Sequence, residues 1–217
     1  MQFSQKAIYA YCEAHTSPLD GVLYELERET HLKTVSPQMM SGHLQGAFLR
    51  MLSELVQPKV AVEIGTFTGY GAICLAQGLA PDGVLHTIEA NPELESIIRK
   101  FLEKAGLQDR VNLHIGQAEQ VISTLPGDFD LVFLDAGKQD YSRHYDLVID
   151  RVRPGGLILA DNVLWAGKVV DPNPDADTRI LLEFNRKVRQ DPRVETLMLP
   201  LRDGLLIVRK GGVGNRE

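Results

Sequence analysis

Two short stretches of the chain carry side chains that could do chemistry. In FLDAGKQDY, residues 133–141, an apolar run ends at Asp135, and Lys138 follows three residues later. In LILADNVLW a second apolar run leads to Asp161 and Asn162. Carboxylate and amide oxygens suit a hard divalent cation, and a lysine whose pKa is lowered by its surroundings can accept a proton.

Each of these residues also has an ordinary interpretation. Asp161 and Asn162 are typical of a turn that follows a strand. Asp135 could cap a helix that begins near Asp140, and lysines such as Lys138 are usually solvated. The chemical interpretation requires a fold that brings the two stretches together.

The surrounding elements alternate between strands and helices. Apolar runs that are typical of strands occur at VAVEIG, VLHTIEA, VNLHIGQA, FDLVFLDA and LILADNVLW, with helical patterns between them. VETLMLPL and LLIVRK then flank a turn at 202–204, which predicts a terminal hairpin. The sequence therefore predicts an α/β fold: a Rossmann-like, doubly wound, seven-stranded sheet that is mostly parallel, with one antiparallel edge strand and helices on both faces.

Such a sheet places its ligands beyond the carboxyl ends of its strands. Five successive strands bring an oxygen-bearing side chain to that rim: Glu63, Glu89, Gln117, Asp135 and the Asp161-Asn162 pair. Both chemical stretches therefore belong to the same edge of the predicted sheet.

Extra helices are expected before the sheet. Ser17-Pro18-Leu19-Asp20 has the form of a capping box, with Pro18 at the first position of a helix that runs to about His31. A second helix is predicted from the spacing of Leu44, Phe48, Met51, Leu52 and Leu55. We interpret the chain as one domain: N-terminal helices (1–57) that shape an acceptor site and could supply a dimer interface, a core (58–210) and a flexible tail (211–217).

The loop after the first strand, VEIGTFTGYGA, contains Gly65, Gly69 and Gly71, and its spacing differs from the NAD fingerprint. Glu63 beside this loop would repel a pyrophosphate but suits an ammonium group. Glu89, about 18 residues beyond Gly71, stands where an acid can hold ribose hydroxyls. Ammonium, ribose and adenine without phosphate describe S-adenosylmethionine; a tight turn without a ligand is the alternative.

Composition narrows the class of protein. The net charge of the 217 residues is −6 and no long basic run occurs, which disfavours nonspecific wrapping of nucleic acid. No apolar run approaches a membrane span, the N-terminus lacks a signal-peptide pattern, and two distant cysteines, Cys12 and Cys74, predict reduced thiols and a cytoplasmic protein. The histidines show no metal-ligand spacing, and we interpret them as structural or surface residues.

The motifs together resemble a known family. EIGTFTGYGA resembles the first motif of class I S-adenosylmethionine-dependent methyltransferases. FLDAGKQDY and LILADNVLWAGKVVDP resemble the divalent-metal-dependent O-methyltransferases of the caffeoyl-CoA and catechol type, and LPLRDGLLIVRK fits the same family. The resemblance spans nearly the whole chain.

The resemblance implies roles for individual residues. Asp135, Asp161 and Asn162 would bind Mg²⁺, or Mn²⁺ or Ca²⁺ in its place, and Lys138 would be the catalytic base beside Asp135. Plant members usually carry a serine at the position of Gly71 and an acid at that of Gly137. The implied cofactor-site residues are Glu63, Gly65, Thr66, Gly71, Glu89, Ala90, Gln117, Ala118 and Asp135; the implied acceptor-site residues are Met40, Lys138 and Trp165.

The predicted activity is methylation of a hydroxyl on a small aromatic acceptor with two vicinal hydroxyls, by a homodimer that does not engage a membrane. One alternative keeps the mechanism and methylates a hydroxylated uridine in tRNA, met by Lys33, Arg50 and Lys59. Another is a binding module for S-adenosylmethionine without catalysis, which the complete set of Asp135, Lys138, Asp161 and Asn162 disfavours.

Overall fold

The computed structural model describes residues 5–18 and 20–211, in which a seven-stranded sheet is covered by helices. Short 3₁₀ turns occupy Pro37–Met39, Pro92–Leu94, Lys138–Asp140 and Trp165–Val170. The strands are β1 Val60–Ile64, β2 Val84–Glu89, β3 Val111–Ile115, β4 Phe129–Leu134, β5 Val152–Asp161, β6 Val194–Leu199 and β7 Leu205–Lys210. The helices are α1 Gln5–Ala14, α2 Gly21–Lys33, α3 Gly42–Val56, α4 Tyr70–Gln77, α5 Glu95–Lys104, α6 Ala118–Ile122, α7 Tyr141–Ile149 and α8 Ala176–Gln190.

The sheet has the strand order β3-β2-β1-β4-β5-β7-β6. Strands β1 to β5 are parallel, and β7 is antiparallel to both β5 and β6. The predicted fold class is confirmed, including the antiparallel hairpin of β6 and β7 at one edge of the sheet. The strand that runs against the others is β7, one place in from the edge, because the hairpin folds back and leaves β6 outermost.

The chain leaves β1 toward β2 and β3 on one side and returns to β4 and β5 on the other. Strands β1 and β4 are hydrogen-bonded neighbours at this change of direction, with Ile64 opposite Leu134. In open α/β sheets a crevice forms at this position, outside the carboxyl ends of the strands.

Both faces of the sheet are buried, and successive side chains of one strand enter different cores. In β1, Ala61 packs with α2–α5, whereas Val62 and Ile64 pack with α6–α8. Because side chains alternate across a strand, a strand buried on both faces is a continuous apolar run, which is why Glu63 stands out in the middle of β1.

The start of α2 differs from the prediction. The helix begins at Gly21, with Asp20 at the N-cap position, and continues to Lys33. Pro18 therefore lies before the helix, and the capping-box interpretation is wrong; Leu19 lies outside the described residues. The tail 211–217 is also outside them except for Gly211.

Helix α3 forms as predicted, but it buries a different face. Gln45, Leu49 and Ser53 are buried, while Met51 and Leu55 are 63% and 78% exposed. The Ser53 hydroxyl donates to the carbonyl of Leu75 in α4 at 2.7 Å. At this contact α3 therefore meets α4 through a small polar side chain.

Two other boundaries differ from the sequence interpretation. The short helix α6 was not predicted. Strand β5 begins at Val152, before the apolar run LILADNVLW from which it was predicted. Cys12 and Cys74 are both free thiols. Among the described residues, every helix is too short or too polar to cross a lipid bilayer.

Candidate active site

A cavity of about 940 Å³ opens at the carboxyl ends of β1–β5. This volume lies at the upper end of the usual range for ligand sites, which leaves room for more than one small molecule. We call it the main cavity. Its lining includes Gln38, Met39, Gly65, Phe67, Glu89, Ala90, Gln117, Ala118, Asp135, Lys138, His144, Asn162, Trp165 and Arg202.

The floor of the main cavity is the glycine-rich turn between β1 and α4. Gly65 and Gly69 have φ angles of 99° and 97°, and Phe67 between them has φ 51°. A Cβ on Gly65 would overlap the carbonyl oxygen of Asp135. Only glycine therefore lets the turn pass this close to the end of β4.

Glu63 is buried beneath this turn. The Thr87 hydroxyl donates to its carboxylate at 2.5 Å and lies 2.5 Å from the Thr66 hydroxyl. Burial, together with the charges of Asp135 and Glu89, raises the pKa of Glu63 to about 8, against the lowering effect of the Thr87 hydrogen bond. A cationic group placed here would favour the ionised carboxylate.

Gly71, in the first turn of α4, leaves the space that this carboxylate fills, because a Cβ there would overlap the nearest Glu63 oxygen. Both residues line a small cavity of about 10 Å³ together with Met40 and Thr66. Gly65, Phe67 and Asp135 line both cavities, so the small cavity adjoins the main one.

At the end of β2, Glu89 is held by backbone donors. Its carboxylate accepts hydrogen bonds from the N–H of Phe67 at 2.7 Å and of Asn91 at 2.9 Å. Both oxygens keep lone pairs for further donors, because a carboxylate has about four acceptor sites. Gln117 and Ala118 lie beyond the next strand, where α6 begins.

At the end of β4, Lys138 lies between a carboxylate and a phenol. Its Nζ is 3.4 Å from Asp135 Oδ1 and donates to the Tyr141 hydroxyl at 2.6 Å. That hydroxyl is 3.0 Å from two backbone carbonyl acceptors, those of Leu134 and Asp161. The buried Tyr141 thus joins the ends of β4 and β5 and fixes the position of the lysine amine.

At the end of β5, Asp161 is fully buried. It accepts hydrogen bonds from Gln45 Nε2 at 2.9 Å, from Arg202 Nη1 at 3.2 Å and from the Asn162 N–H at 2.8 Å. Asn162 has φ 56°, a left-handed conformation that asparagine adopts more readily than most residues. This conformation turns the chain at the point where Asn162 reaches the main cavity.

The two aspartates are close enough to interact. Burial, together with the charge of Asp161, raises the pKa of Asp135 to about 7, against the lowering effect of Lys138 and Arg202. A divalent cation would relieve this repulsion, and two carboxylates with an amide oxygen are donors that Mg²⁺ prefers. The residues therefore fit a hard cation, although within residues 5–18 and 20–211 no three histidine, cysteine or acidic side chains cluster as metal ligands.

The sequence and the fold have counterparts in known proteins. A family model described as O-methyltransferase matches residues 13–211. A caffeoyl-CoA O-methyltransferase from Eucalyptus gunnii is 37% identical over 218 residues, covering 94% of this chain and 87% of that protein. The chain belongs to the S-adenosylmethionine-dependent O-methyltransferase family. Caffeoyl-CoA O-methyltransferase 5 from Nicotiana tabacum is 34% identical, covering 94% of this chain and 91% of that protein.

Solved structures of other methyltransferases share the whole fold. The S-adenosylhomocysteine-bound methyltransferase PaMTH1 of Podospora anserina matches with a TM-score of 0.89 and 29% identity over 98% of both chains. An O-methyltransferase from Bacillus cereus, also in complex with S-adenosylhomocysteine, matches with a TM-score of 0.86 and 29% identity over 94% of this chain and 97% of that chain.

Most of the predicted site residues of this methyltransferase meet at the main cavity. It is lined by Gly65, Glu89, Ala90, Gln117, Ala118, Asp135, Lys138, Asn162 and Trp165. Four others, Met40, Glu63, Thr66 and Gly71, line the small cavity, and Met39 takes the place in the main cavity that Met40 was predicted to take. Asp161 lines neither; it is fully buried and accepts a hydrogen bond from the N–H of Asn162.

Several residues of the methyltransferase site were missed from the sequence. Gln45 and Arg202 contact Asp161, and Tyr141 holds Lys138. The RDG stretch was interpreted only as a turn, and Gln45 lies beside the apolar stripe of α3. His144, interpreted as structural, is buried but lines the main cavity. The contacts of Gln45 and Arg202 join elements far apart in the chain, which no spacing pattern reports, whereas Tyr141 lies only three residues after Lys138.

Proposed function

We propose that this methyltransferase uses a divalent metal and transfers the methyl group of S-adenosylmethionine to a hydroxyl of a small aromatic acceptor with two vicinal hydroxyls. The observation that carries the proposal is the meeting of Asp135, Lys138 and Asn162 at the main cavity, with Asp161 hydrogen-bonded to Asn162. Lysine, carboxylates and an amide together suit deprotonation of a metal-held hydroxyl.

The cofactor would lie across the ends of β1–β3. S-adenosylmethionine supplies a methyl group on a sulfonium centre. Glu63 would hold its ammonium group, and Glu89 would accept hydrogen bonds from its ribose hydroxyls through the lone pairs that Phe67 and Asn91 leave free. Supporting this placement, the relatives from Podospora anserina and Bacillus cereus bind S-adenosylhomocysteine.

Asp135, Asp161 and Asn162 would hold the divalent metal, Mg²⁺ or Mn²⁺ or Ca²⁺. Bound there, the ion would supply Lewis-acid chemistry that lowers the pKa of an acceptor hydroxyl from about 10, the value of a phenol. The neutral amine of Lys138 would accept the proton while one of its N–H groups stays on Tyr141, which keeps the nitrogen lone pair oriented. Trp165 and Met39 would form walls of the acceptor site.

The extent of the acceptor end of the cavity and the names of related enzymes support this acceptor class. Three separate parts of the chain line the acceptor end of the main cavity: the Pro37–Met39 turn, Trp165 and Arg202. The related plant enzymes are named for caffeoyl-CoA, whose caffeoyl group carries two vicinal hydroxyls. A small catechol is the simplest acceptor with that feature.

The test is a methyl-transfer assay with labelled S-adenosylmethionine, catechol and Mg²⁺. We expect a methylated catechol, loss of the reaction in excess chelator, and recovery when Mg²⁺ is returned. Lys138→Ala should lower kcat at least about 100-fold, the size of a general-base contribution. The matched control is Lys104→Ala, which removes an exposed lysine paired with Glu25 and should leave kcat unchanged.

Different outcomes would contradict different parts of the proposal. An unchanged rate in chelator would contradict the metal, and full activity of Lys138→Ala would contradict the base. Methylation of tRNA that carries hydroxylated uridine, with no reaction on any catechol or caffeoyl ester, would contradict the acceptor. Cofactor binding without methyl transfer to any of these acceptors would contradict catalysis.

A further inference from the structure

Arg202 places a positive charge against the candidate metal site. Its Nη1 lies 3.2 Å from Asp161 Oδ2 and 3.4 Å from Gln45 Oε1, and its Nη2 donates to the Gln38 carbonyl at 2.6 Å. The side chain is 22% exposed and lines the main cavity. The guanidinium therefore contacts a residue proposed to hold the metal, from a part of the chain that holds none of the other proposed ligands.

The backbone at this position favours a residue without a side chain. Arg202 has φ 52°, and Gly204, two residues later, has φ 91°. A left-handed conformation costs arginine free energy that glycine does not lose. The hydrogen bonds of the guanidinium offset this cost of the backbone conformation.

Each carboxylate proposed to hold the metal already contacts a basic side chain before any metal binds. Lys138 lies beside Asp135, and Arg202 lies beside Asp161. A divalent cation held by Asp161 would lie close to a guanidinium that already contacts the same carboxylate. The positive charges of the metal ion and the guanidinium would therefore repel each other strongly in this partly buried site.

We propose that Arg202 is a built-in counter-cation that weakens the binding of divalent metals to this site in the absence of the acceptor. The proposal rests on the metal site of the proposed function. Arg202 acts on metal affinity through its charge, by competing for Asp161, and it is a positioning residue rather than a catalytic one.

The test is the dissociation constant for Mn²⁺ of the purified protein without acceptor, measured by electron paramagnetic resonance of free Mn²⁺. Arg202→Gln should bind Mn²⁺ at least about tenfold more tightly than the wild type, because it removes the repulsion between the guanidinium and the metal ion. Even at the dielectric constant of water, that repulsion corresponds to about a tenfold change in the dissociation constant. Arg202→Lys keeps the charge and should stay within about threefold of the wild type. Arg209→Gln changes a more exposed arginine of the same hairpin, paired with Glu195, and should have no effect.

Two further variants separate the outcomes. Arg202→Gly relieves the backbone at this position and should also bind Mn²⁺ more tightly than the wild type; Asp161→Asn should bind it more weakly. If Arg202→Gln and Arg202→Gly bind Mn²⁺ no more tightly than the wild type while Asp161→Asn loses binding, the metal site stands and the role of Arg202 is wrong. If no variant binds Mn²⁺, or Asp161→Asn binds it like the wild type, the metal site itself is wrong and the counter-cation role fails with it.

Discussion

The buried carboxyl group of Glu63 makes the stability of the protein depend on pH. Its carboxyl group has no access to water, and burial together with the nearby Asp135 and Glu89 charges raises its pKa to about 8. In the unfolded chain the same group releases its proton near 4.5. Between these values the folded chain binds more protons than the unfolded chain, so the stability contributed by Glu63 decreases as pH rises.

Replacing Glu63 with glutamine should therefore change the pH dependence of stability. From pH 5 to pH 8, the free energy of unfolding of the ligand-free wild type should fall relative to that of Glu63→Gln by roughly 3 kcal/mol. The measurement is urea unfolding of both proteins at several pH values. A difference that stays constant with pH would mean that Glu63 is already ionised in the folded, ligand-free protein.

The proximity of candidate site residues was predictable where they lie at the ends of neighbouring strands. Asp135 and Asp161 follow neighbouring parallel strands, so their proximity followed from the alternation of strands and helices alone. The partners that hold them were not predictable: Gln45 comes from α3 and Arg202 from the last hairpin, and each joins Asp161 across more than 40 residues of sequence. Such contacts depend on how helices and turns pack, which has no local pattern.

At the scale of an element, the first turn of α4 is shaped around the Glu63 carboxylate. Gly71→Ala would add a methyl group that overlaps this carboxylate and should displace it from the cofactor ammonium. We expect the dissociation constant for S-adenosylhomocysteine, measured by calorimetry, to rise about 10- to 100-fold, as expected for loss of a hydrogen bond to a charged group.

The matched control for Gly71→Ala is Gly21→Ala. Gly21 also lies in the first turn of a helix, and a Cβ there meets no atom within 4 Å. This variant should gain helix propensity and leave the affinity for S-adenosylhomocysteine unchanged. Equal affinities for Gly71→Ala and the wild type would show that Glu63 does not hold the ammonium.

Elements were more predictable than the faces they bury. Helix α3 was found from its apolar spacing, but the apolar residues Met51 and Leu55 are exposed while Gln45 and Ser53 are buried. The spacing of apolar residues indicates that a helix has an apolar side. It does not indicate whether that side packs against the rest of the same chain or stays exposed. The start of α2 was missed for a similar reason, since Ser17 and Asp20 are both good N-cap residues and only packing decides between them.

At the scale of the whole molecule, the exposed apolar side chains lie mainly on the N-terminal helices. On α3 these are Met51 and Leu55, and on α1 they are Ile8 and Tyr11, 54% and 64% exposed. Helices α1 and α3 are in contact. Exposed apolar side chains on neighbouring helices can form an association site, and we propose this surface as the interface of the homodimer expected from the sequence.

We therefore expect the chain to sediment as a dimer and Met51→Lys combined with Leu55→Lys to weaken that dimer. Burying each of these side chains in an interface would contribute roughly 1.5–3 kcal/mol, so losing both should raise the dimer dissociation constant at least about 100-fold. Sedimentation velocity over a range of protein concentrations measures this constant. Leu197→Lys is the control, because Leu197 is an apolar residue of similar exposure, 55%, on the edge strand β6. If the wild type sediments as a monomer throughout, or if only Leu197→Lys dissociates the dimer, the N-terminal helices are not the interface, and their exposed apolar side chains serve another partner or none.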